Sequence, residues 1–415
     1  MGGGGAKNLS EPPLKLPTYG VWRGAAVNEA MGYSLTMVWR MANAREASRG
    51  LFRHSRYRGT EFVHGMRGWA ALGVLFIHSG GGGLRKFGEW GNSIVDLGSA
   101  GVYVFFVISG FAVATSWNQS SAAGGTFGTY LLRRLVRIVP LYYFWIFVSI
   151  STGLTATYWQ EAYGVKVGFY NVIAHLSFLS AFDGSIAASI IGVEWSLAIE
   201  VFYYLIIPGM VAIILRRPAL GALLLVFGVL IWELLPITLR YFGYSQQSDL
   251  QLWLFSPLPW MFSFVLGILA FQYRERNSVV QARGAWPLAL ATVWLVLWIF
   301  VPGLSNLQIL GVDLMDRYLW ISFLTAVIIL LLRDDSVTVR LLFLNPFIYL
   351  AGSLSYGIYL SHIVILRTQL VSSLPDVAKL LVTLIVSFVV SFITWVIIEH
   401  PAISGIKQAI GARKP

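Results

Sequence analysis

The stretch VAKLLVTLIVSFVVSFITWVII at residues 377–398 decides the fold class. It contains one charged residue, Lys379, among 22. A membrane helix needs about 20 mostly apolar residues to cross the hydrocarbon core. Within lipid, every backbone N–H and C=O group must be paired inside the protein, which a helix achieves within its own segment. We therefore predict that this stretch is a transmembrane helix.

The composition extends this prediction to the whole chain. Of 415 residues, 57% are hydrophobic and only 12% are charged, whereas soluble domains carry roughly 25% charged residues. The mean hydropathy is +0.69. A soluble globular enzyme and a disordered chain are both excluded, because the apolar excess needs lipid. We expect an all-α integral membrane protein, a bundle of about ten transmembrane helices, with predicted spans at 62–80, 97–116, 138–157, 192–215, 219–236, 251–271, 285–302, 317–333, 345–366 and 377–398.

The distribution of positive charge predicts the topology. If residues 1–60 form a basic, partly disordered cytoplasmic leader, the loops and tail on that side carry thirteen Lys and Arg residues and the opposite side carries seven. This asymmetry predicts an N-in, C-in arrangement. It also argues against a nucleic-acid partner, since the net charge of +11 is spread along a membrane face. The predicted domain is 61–402, followed by a cytoplasmic tail at 403–415, with Pro401 ending the last helix.

The missing residue types exclude several chemistries. The chain contains no cysteine, which excludes disulfides, a thiolate nucleophile, a cysteine zinc site and an iron–sulfur cluster. It also lacks the H-E-x-x-H spacing of zinc proteases. We predict neither a bound metal nor a resident cofactor.

Two ionisable residues lie in the first predicted span, RGWAALGVLFIH at 67–78. Arg67 and His78 are eleven positions apart, which places them within about 20° of one helix face and roughly 16 Å apart along the axis. Imidazole suits proton abstraction near neutral pH. A snorkelling arginine and a histidine bonded to a neighbouring helix are the structural alternative, and the pattern favours neither.

Three further motifs carry polar groups at helical spacing. Arg134 and Arg137, next to Arg133, lie on one face and could bind phosphates bidentately, although the pattern alone favours a plain inside-positive anchor. In the fourth span, Ser196, Glu200 and Tyr204 share a face, and a catalytic carboxylate and a structural ion pair both remain open for Glu200. The other candidates are Ser109 in a span rich in small residues, Glu194 and Trp195 at the outer end of the fourth span, and a polar line of Tyr356, Tyr359 and His362 in the ninth.

Five of these motifs, in this order, resemble the acyltransferase 3 family of bacterial membrane O-acyltransferases. They are RGWAALGVLFIH at 67–78, GVYVFFVISGF at 101–111, RRLVRIVP at 133–140, EWSLAIE at 194–200 and SYGIYLSH at 355–362. The resemblance covers about residues 56–402. It implies transfer of an acyl group, most often acetyl, from cytoplasmic acyl-CoA as co-substrate to a hydroxyl of a glycan or similar acceptor, at the bacterial inner membrane.

The resemblance also implies roles for individual residues. His78, Arg67 and Glu200 would be catalytic, with His78 as general base or transient acyl carrier. Acyl-CoA would bind to Arg133, Arg134 and Arg137. The acceptor path and its support would include Ser109, Glu194, Trp195, Ser196, Tyr356, Tyr359 and His362.

The chain departs from the family pattern at two points. Many relatives carry an acidic residue where His64 stands, so a charge contact there is expected to differ. Some relatives also carry an esterase-like domain after the last span, so here a partner for a second step is expected to be a separate periplasmic polypeptide.

The rival interpretation is a transporter or flippase for a lipid-linked or acylated glycan. The intramembrane Arg, His and Glu residues would then be translocation groups. A plain membrane scaffold would have no use for these charges.

Overall fold

The computed structural model describes residues 60–243, 254–276, 286–300, 308–309, 312–313, 317–332 and 336–411. They belong to one compact unit, Ala47–Pro415. The predicted leader, apart from Thr60, lies outside the described residues. The α-helices are α1 Phe62–His78, α2 Glu89–Asp96, α3 Ala100–Ala122, α4 Phe127–Thr152, α5 Thr157–Tyr163, α6 Phe169–Leu176, α7 Trp195–Arg216, α8 Pro218–Tyr241, α9 Met261–Arg276, α10 Trp286–Phe300, α11 Arg317–Leu331, α12 Val337–Phe343, α13 Pro346–Ser353, α14 Ser355–Arg367, α15 Gln369–Ser372, α16 Asp376–Thr394 and α17 His400–Gly411.

The remaining regular elements are short. Turns of 3₁₀ helix lie at Gly80–Phe87, Leu97–Ser99, Leu179–Phe182 and Leu258–Trp260. The strands β1 (Gln308–Ile309) and β2 (Val312–Asp313) form an antiparallel pair in which Gln308 is opposite Asp313. The described part of the chain is otherwise helical, as the composition predicts.

Each of the ten predicted apolar runs overlaps at least one of these helices. Within the described ranges, five helical segments are long and apolar enough to cross a membrane, namely Glu89–Ala122, Phe127–Thr152, Trp195–Arg216, Pro218–Leu239 and Asp376–Ile410. The bent pair α13 and α14 would make a sixth. Helices α1, α9, α10 and α11 have 17, 16, 15 and 15 residues, which is short of the usual spanning length. The protein is therefore a multi-pass membrane protein, and the count of ten spans stays a prediction.

Helix α4 begins well before the predicted span at 138–157. It starts at Phe127, where the Thr126 side chain accepts a hydrogen bond from the backbone N–H of Thr129 at 3.3 Å. Hydropathy misses this first part because it carries Arg133, Arg134 and Arg137. The three arginines are therefore held on a rigid helix.

The predicted span at 345–366 is not one straight helix. It is broken at Leu354, and α13 and α14 meet at an angle of 77°. Asn345 caps α13 by accepting from the backbone N–H of Ile348 at 3.0 Å, and Pro346 follows in the first turn. The break turns α14 so that its polar residues face the interior of the bundle.

The last helix does not end at Pro401. A π turn at Trp395–Glu399 joins α16 to α17, and Pro401 is the second residue of α17. Proline lacks an N–H and clashes with the carbonyl four residues earlier in a regular α-helix. The wider π turn accommodates both effects, so the helix continues.

Glycines allow the central helices to approach closely. A Cβ at Gly101 on α3 would overlap the Ala70 carbonyl on α1, and a Cβ at Gly267 on α9 would overlap the Val107 carbonyl on α3. Helix α14 packs against α1 on one side and α16 on the other. These contacts fix α1, α3, α9 and α14 around the candidate site.

Candidate active site

A small cavity lies where α1, α3, α7 and α14 meet. Its volume is about 40 Å³, which is room for a few water-sized groups. The polar lining comes from three helices, and the apolar lining mostly from α3. The lining residues are Arg67, Val102, Phe105, Phe106, Ser196, Leu197, Glu200, Ser355, Tyr356 and Tyr359.

Arg67 is half-buried and presents an unused donor. Its Nε atom is fully buried and has no hydrogen-bond partner among the described residues. The guanidinium carbon lies 5.9 Å from the centre of the Phe105 ring. The Glu200 carboxylate attracts the guanidinium, and Arg137 and Arg134 repel it. Arg67 is thus a cation at the cavity wall whose hydrogen-bonding capacity is incompletely used.

Glu200 is fixed between two helices. One carboxylate oxygen accepts hydrogen bonds from the Tyr204 hydroxyl at 2.6 Å and from the Ser109 hydroxyl. The Tyr204 contact follows from the i,i+4 spacing on α7. The Ser109 contact joins α7 to α3, which the sequence could not show because the two residues are 91 positions apart.

Tyr356 and Tyr359 point into the protein. The Tyr359 hydroxyl lies 2.7 Å from the Ser196 hydroxyl and donates to the Val193 carbonyl at 2.9 Å. The Tyr356 hydroxyl donates to the Ile138 carbonyl on α4 at 2.8 Å. The tyrosines therefore join α14 to α7 and to the arginine-bearing helix.

His78 lies at the end of α1 and is exposed, whereas His362 on α14 is fully buried. Their rings stack with centroids 5.1 Å apart, and His78 Nδ1 is 3.0 Å from His362 Nε2. His362 Nδ1 is 3.0 Å from the Ile358 carbonyl oxygen. The two histidines form a hydrogen-bonded pair that does not line the cavity. The Tyr359 ring lies between the histidine pair and the cavity, with its centroid 6.1 Å from that of His362.

The three arginines of α4 differ in their surroundings. Arg133 is exposed, whereas Arg134 and Arg137 are half-buried. Arg134 donates to the Ala112 carbonyl on α3 at 2.8 Å and lies over the Tyr204 ring at 5.6 Å. Arg137 acts electrostatically on Arg67 and on Glu399. Two of the three arginines are therefore turned toward the bundle.

Glu194 and Trp195 lie outside the cavity lining. The buried Glu194 carboxylate accepts backbone N–H groups of Ile190 at 2.8 Å, Ile191 at 2.9 Å and Gly192. His175 Nε2 lies 3.4 Å from the same carboxylate. Trp195 stacks edge-on against Phe255, with ring centroids 4.7 Å apart. Glu194 fixes the segment that leads into α7.

Three groups near the site carry little signal in the sequence. Glu399 is 4% exposed within the π turn, where the charges of Arg137 and Arg67 act on it. His175 is fully buried beside Glu194. His64, at the departure from the family pattern, has Nε2 2.9 Å from the Ser353 hydroxyl and so ties α1 to α13. The only sign of these groups in the sequence is that Glu399, His175 and His64 are ionisable residues in otherwise apolar stretches.

No three His, Asp or Glu side chains gather as a metal site within the described ranges. The arrangement instead offers an imidazole pair, a cation with a free donor and an anchored carboxylate. Such groups suit proton transfer and stabilisation of a developing oxyanion.

Known proteins resemble this chain over most of its length. "Nodulation protein 10" of Rhizobium leguminosarum bv. viciae is 26% identical over 389 residues, covering 84% of this chain and 94% of that protein. The "Putative acetyltransferase" of Acidianus two-tailed virus is 25% identical, covering 79% of this chain and 88% of that protein. A "Putative O-acetyltransferase" of Staphylococcus aureus strain COL is 25% identical over 77% of this chain but only 52% of its own length. No solved structure matches the chain.

The family comparison covers the helical bundle up to residue 398, just before α17. The acyltransferase 3 family, described as an acyltransferase domain, matches residues 60–398. This range contains the cavity, the histidine pair and the three arginines of α4. The expectation from the five motifs is confirmed: the chain belongs to the acyltransferase 3 family and is an acyltransferase.

Proposed function

We propose that this protein is a membrane O-acetyltransferase that moves an acetyl group from cytoplasmic acyl-CoA to a hydroxyl of a cell-surface or secreted glycan. One observation carries the proposal. Helix α1 places Arg67 at the wall of the cavity with Glu200, and it places His78, paired with His362, at its exposed end. A single helix thus connects a cationic pocket with an accessible imidazole.

The proposed topology has ten spans, with both termini in the cytoplasm of a bacterial cell and the protein in its inner membrane. The charge asymmetry of the sequence supports it. The arginines of α4 then lie on the cytoplasmic side, and His78, at the other end of α1, lies toward the outside. The basic leader at 1–60, the domain at 61–402 and the tail at 403–415 belong to the same proposal.

The donor would bind through its phosphates. Arg134 and Arg137 face the bundle, and Arg133 stands exposed beside them. Among the described residues, Arg134 uses one N–H on the Ala112 carbonyl, which leaves four of the five guanidinium donors for a ligand. Guanidinium groups bind phosphate oxygens in bidentate fashion. The acyl arm would then extend toward Arg67.

The transfer would proceed by general-base catalysis. His78 takes the proton of the acceptor hydroxyl as its oxygen attacks the thioester carbonyl carbon; the new C–O bond forms, the C–S bond breaks and the CoA thiolate leaves. Arg67, roughly 16 Å from His78 along the α1 axis, would hold the donor at the cavity wall. In the alternative with an acyl carrier, the His78 nitrogen attacks first and passes the acyl group on to the hydroxyl.

Glu200 would hold Arg67 and not His78. Its carboxylate is bonded to Ser109 and Tyr204 and attracts Arg67. Ser196, Tyr356 and Tyr359 would shape the path for the acceptor, and Glu194 and Trp195 would support it from the segment before α7.

The test uses purified full-length protein in nanodiscs with radiolabelled acetyl-CoA. Wild type should bind the donor and release CoA slowly, with water taking the place of the acceptor hydroxyl. His78→Ala should bind without turnover, and Arg134→Ala should bind weakly. Arg216→Ala changes an exposed arginine at the end of α7 and serves as the matched control, with binding and turnover expected to be unchanged. Turnover retained by His78→Ala would overturn the mechanism.

The same samples test the transporter alternative. A protein that only moves a glycan across the membrane has no reason to bind acetyl-CoA. Absence of donor binding in wild type, with the protein folded and inserted, would mean either that another acyl donor is used or that the transporter interpretation is the better one.

A further inference from the structure

We infer that His362 is a positioning residue that fixes the tautomer of His78, so that the acting atom of His78 is Nε2. The inference rests on the proposed function, because it concerns the base of the transfer reaction. It depends on hydrogen-bond polarity along three groups that two helices bring together: His78 at the end of α1, and His362 and Ile358 on α14.

The direction of the hydrogen bonds is set by the Ile358 carbonyl, a group that can only accept a hydrogen bond. The Ile358 carbonyl oxygen lies 3.0 Å from His362 Nδ1, and a carbonyl has no proton to give. His362 Nδ1 must therefore carry the proton of this bond. In a neutral imidazole the other nitrogen then has a lone pair, so His362 Nε2 is an acceptor.

The lone pair on His362 Nε2 determines the tautomer of His78. His362 Nε2 is 3.0 Å from His78 Nδ1, so His78 Nδ1 must donate. Neutral His78 then keeps its lone pair on Nε2. The geometry leaves one nitrogen of His78 available as a base or nucleophile.

The opposite polarity would require a cation at His362. If His362 Nε2 donated to His78, both nitrogens of His362 would be protonated. His362 is fully buried, and an unpaired buried charge is strongly disfavoured. Arg367, five residues further along α14, acts on both histidines with a positive charge, and no carboxylate within the described ranges lies within 4.0 Å of His362.

The pair also stabilises the positive charge that His78 gains when it takes the proton of the acceptor hydroxyl. When His78 Nε2 takes the proton of the acceptor hydroxyl, His78 becomes an imidazolium. Its Nδ1–H then donates to His362 Nε2 as a charge-assisted hydrogen bond, which is stronger than the neutral one. His362 thus stabilises the imidazolium more than the neutral ring, which is the requirement for lowering the barrier.

The first test reads the tautomer without activity. Full-length protein labelled with ¹⁵N-histidine is placed in lipid bilayers for solid-state NMR near neutral pH, and His78→Asn identifies the His78 signals among the six histidines. We expect a protonated Nδ1 and an unprotonated Nε2 for His78, and the same for His362. A protonated Nε2 on His78 would overturn the inference even if the protein is a transferase.

The second test uses two substitutions of one residue. Gln in His362→Gln can place an acceptor oxygen near the position of the imidazole Nε2, whereas His362→Leu fills the space without an acceptor. General-base catalysis contributes about 10²–10⁴-fold, so we expect kcat to fall at least about tenfold in His362→Leu with KM for acetyl-CoA nearly unchanged. His362→Gln should recover most of the loss, and in His362→Leu the His78 tautomer signals should become mixed.

His400→Gln repeats the histidine-to-glutamine change in α17, outside the cavity and the pair, and should leave kcat unchanged. Equal kcat in wild type and His362→Leu would overturn the positioning role. Equal loss in His362→Leu and His362→Gln, with both folded, would show that the acceptor is not what matters. If wild type neither binds nor turns over acetyl-CoA, the proposed function fails, while the NMR result still decides the tautomer.

Discussion

The Ser109 hydroxyl on α3 donates a hydrogen bond to the carboxylate of Glu200 on α7. The Tyr204 hydroxyl donates to the same carboxylate oxygen at 2.6 Å. Because both donors are rigidly placed on helices, the negative charge of Glu200 is fixed at the cavity wall opposite the buried, unused Nε of Arg67. Glu200 is thus an anchored carboxylate in the lining of the cavity that also contains Arg67.

Glu200→Gln separates the charge of Glu200 from its hydrogen bonds. The amide keeps an oxygen for Ser109 and Tyr204 but removes the negative charge that attracts Arg67. We expect turnover to fall at least about tenfold, which corresponds to a loss of only about 1.4 kcal/mol, with little change in thermal stability. Turnover at the wild-type level would show that the charge of Glu200 has no part in the transfer.

Ser109→Ala removes one of the two donors to the carboxylate. A hydrogen bond to a charged group contributes about 1.5–3 kcal/mol, and Tyr204 remains to hold Glu200. We therefore expect a measurable drop in the thermal midpoint and a smaller loss of turnover than in Glu200→Gln. A larger loss of turnover than in Glu200→Gln, with the protein folded, would point to Ser109 itself as a reacting group.

The arginines of α4 should differ in their effect on donor binding. Arg134→Ala and Arg137→Ala should each weaken the affinity for acetyl-CoA by about ten- to a hundredfold, since each removes charge-assisted bonds to phosphate. Arg133→Ala should weaken the affinity for acetyl-CoA less, because an exposed charge is screened by solvent and salt. Isothermal titration at two salt concentrations checks both statements, and equal losses for all three variants would contradict the different placement of Arg133.

Glu194→Gln should destabilise the protein. The carboxylate accepts three backbone N–H groups, and a glutamine offers only one acceptor oxygen while its amide nitrogen faces a donor. We expect a loss of about 2–3 kcal/mol, read as a lower thermal midpoint by tryptophan fluorescence in detergent. Gln160→Glu, on α5, makes the reverse change in the same region as a comparison. An unchanged midpoint in Glu194→Gln would show that these bonds contribute no net stability.

Tyr356→Phe removes only the bond from α14 to the Ile138 carbonyl. The loss should be about 0.5–1.5 kcal/mol, seen as a small decrease in thermal midpoint. Tyr241→Phe is the control, since the Tyr241 side chain at the end of α8 is 85% exposed. A drop in Tyr241→Phe as large as in Tyr356→Phe would show that the Ile138 contact is not the cause.

The histidine pair shows which contacts helical spacing in the sequence can predict and which it cannot. The eleven-residue interval predicts that Arg67 and His78 share a face of α1, and the sequence alone leaves His78 with an unknown partner. His362 could be recognised only as part of a polar line with Tyr356 and Tyr359. Its contact with His78 crosses 284 positions of sequence, a distance over which no helical period carries information.

By itself the sequence determined the class of fold, the approximate positions of the main apolar helices and the residues that could carry charge into the bundle. Apolar runs specify membrane helices because lipid leaves the backbone no other partner, and the i,i+4 period places Glu200 beside Tyr204. Only the tertiary structure decided where α4 begins, that α13 and α14 meet at 77°, and that Glu200 pairs with Ser109 and His78 with His362. Those features depend on which helices lie side by side, and glycine contacts such as Gly101 against Ala70 set that arrangement through packing, which hydropathy does not encode.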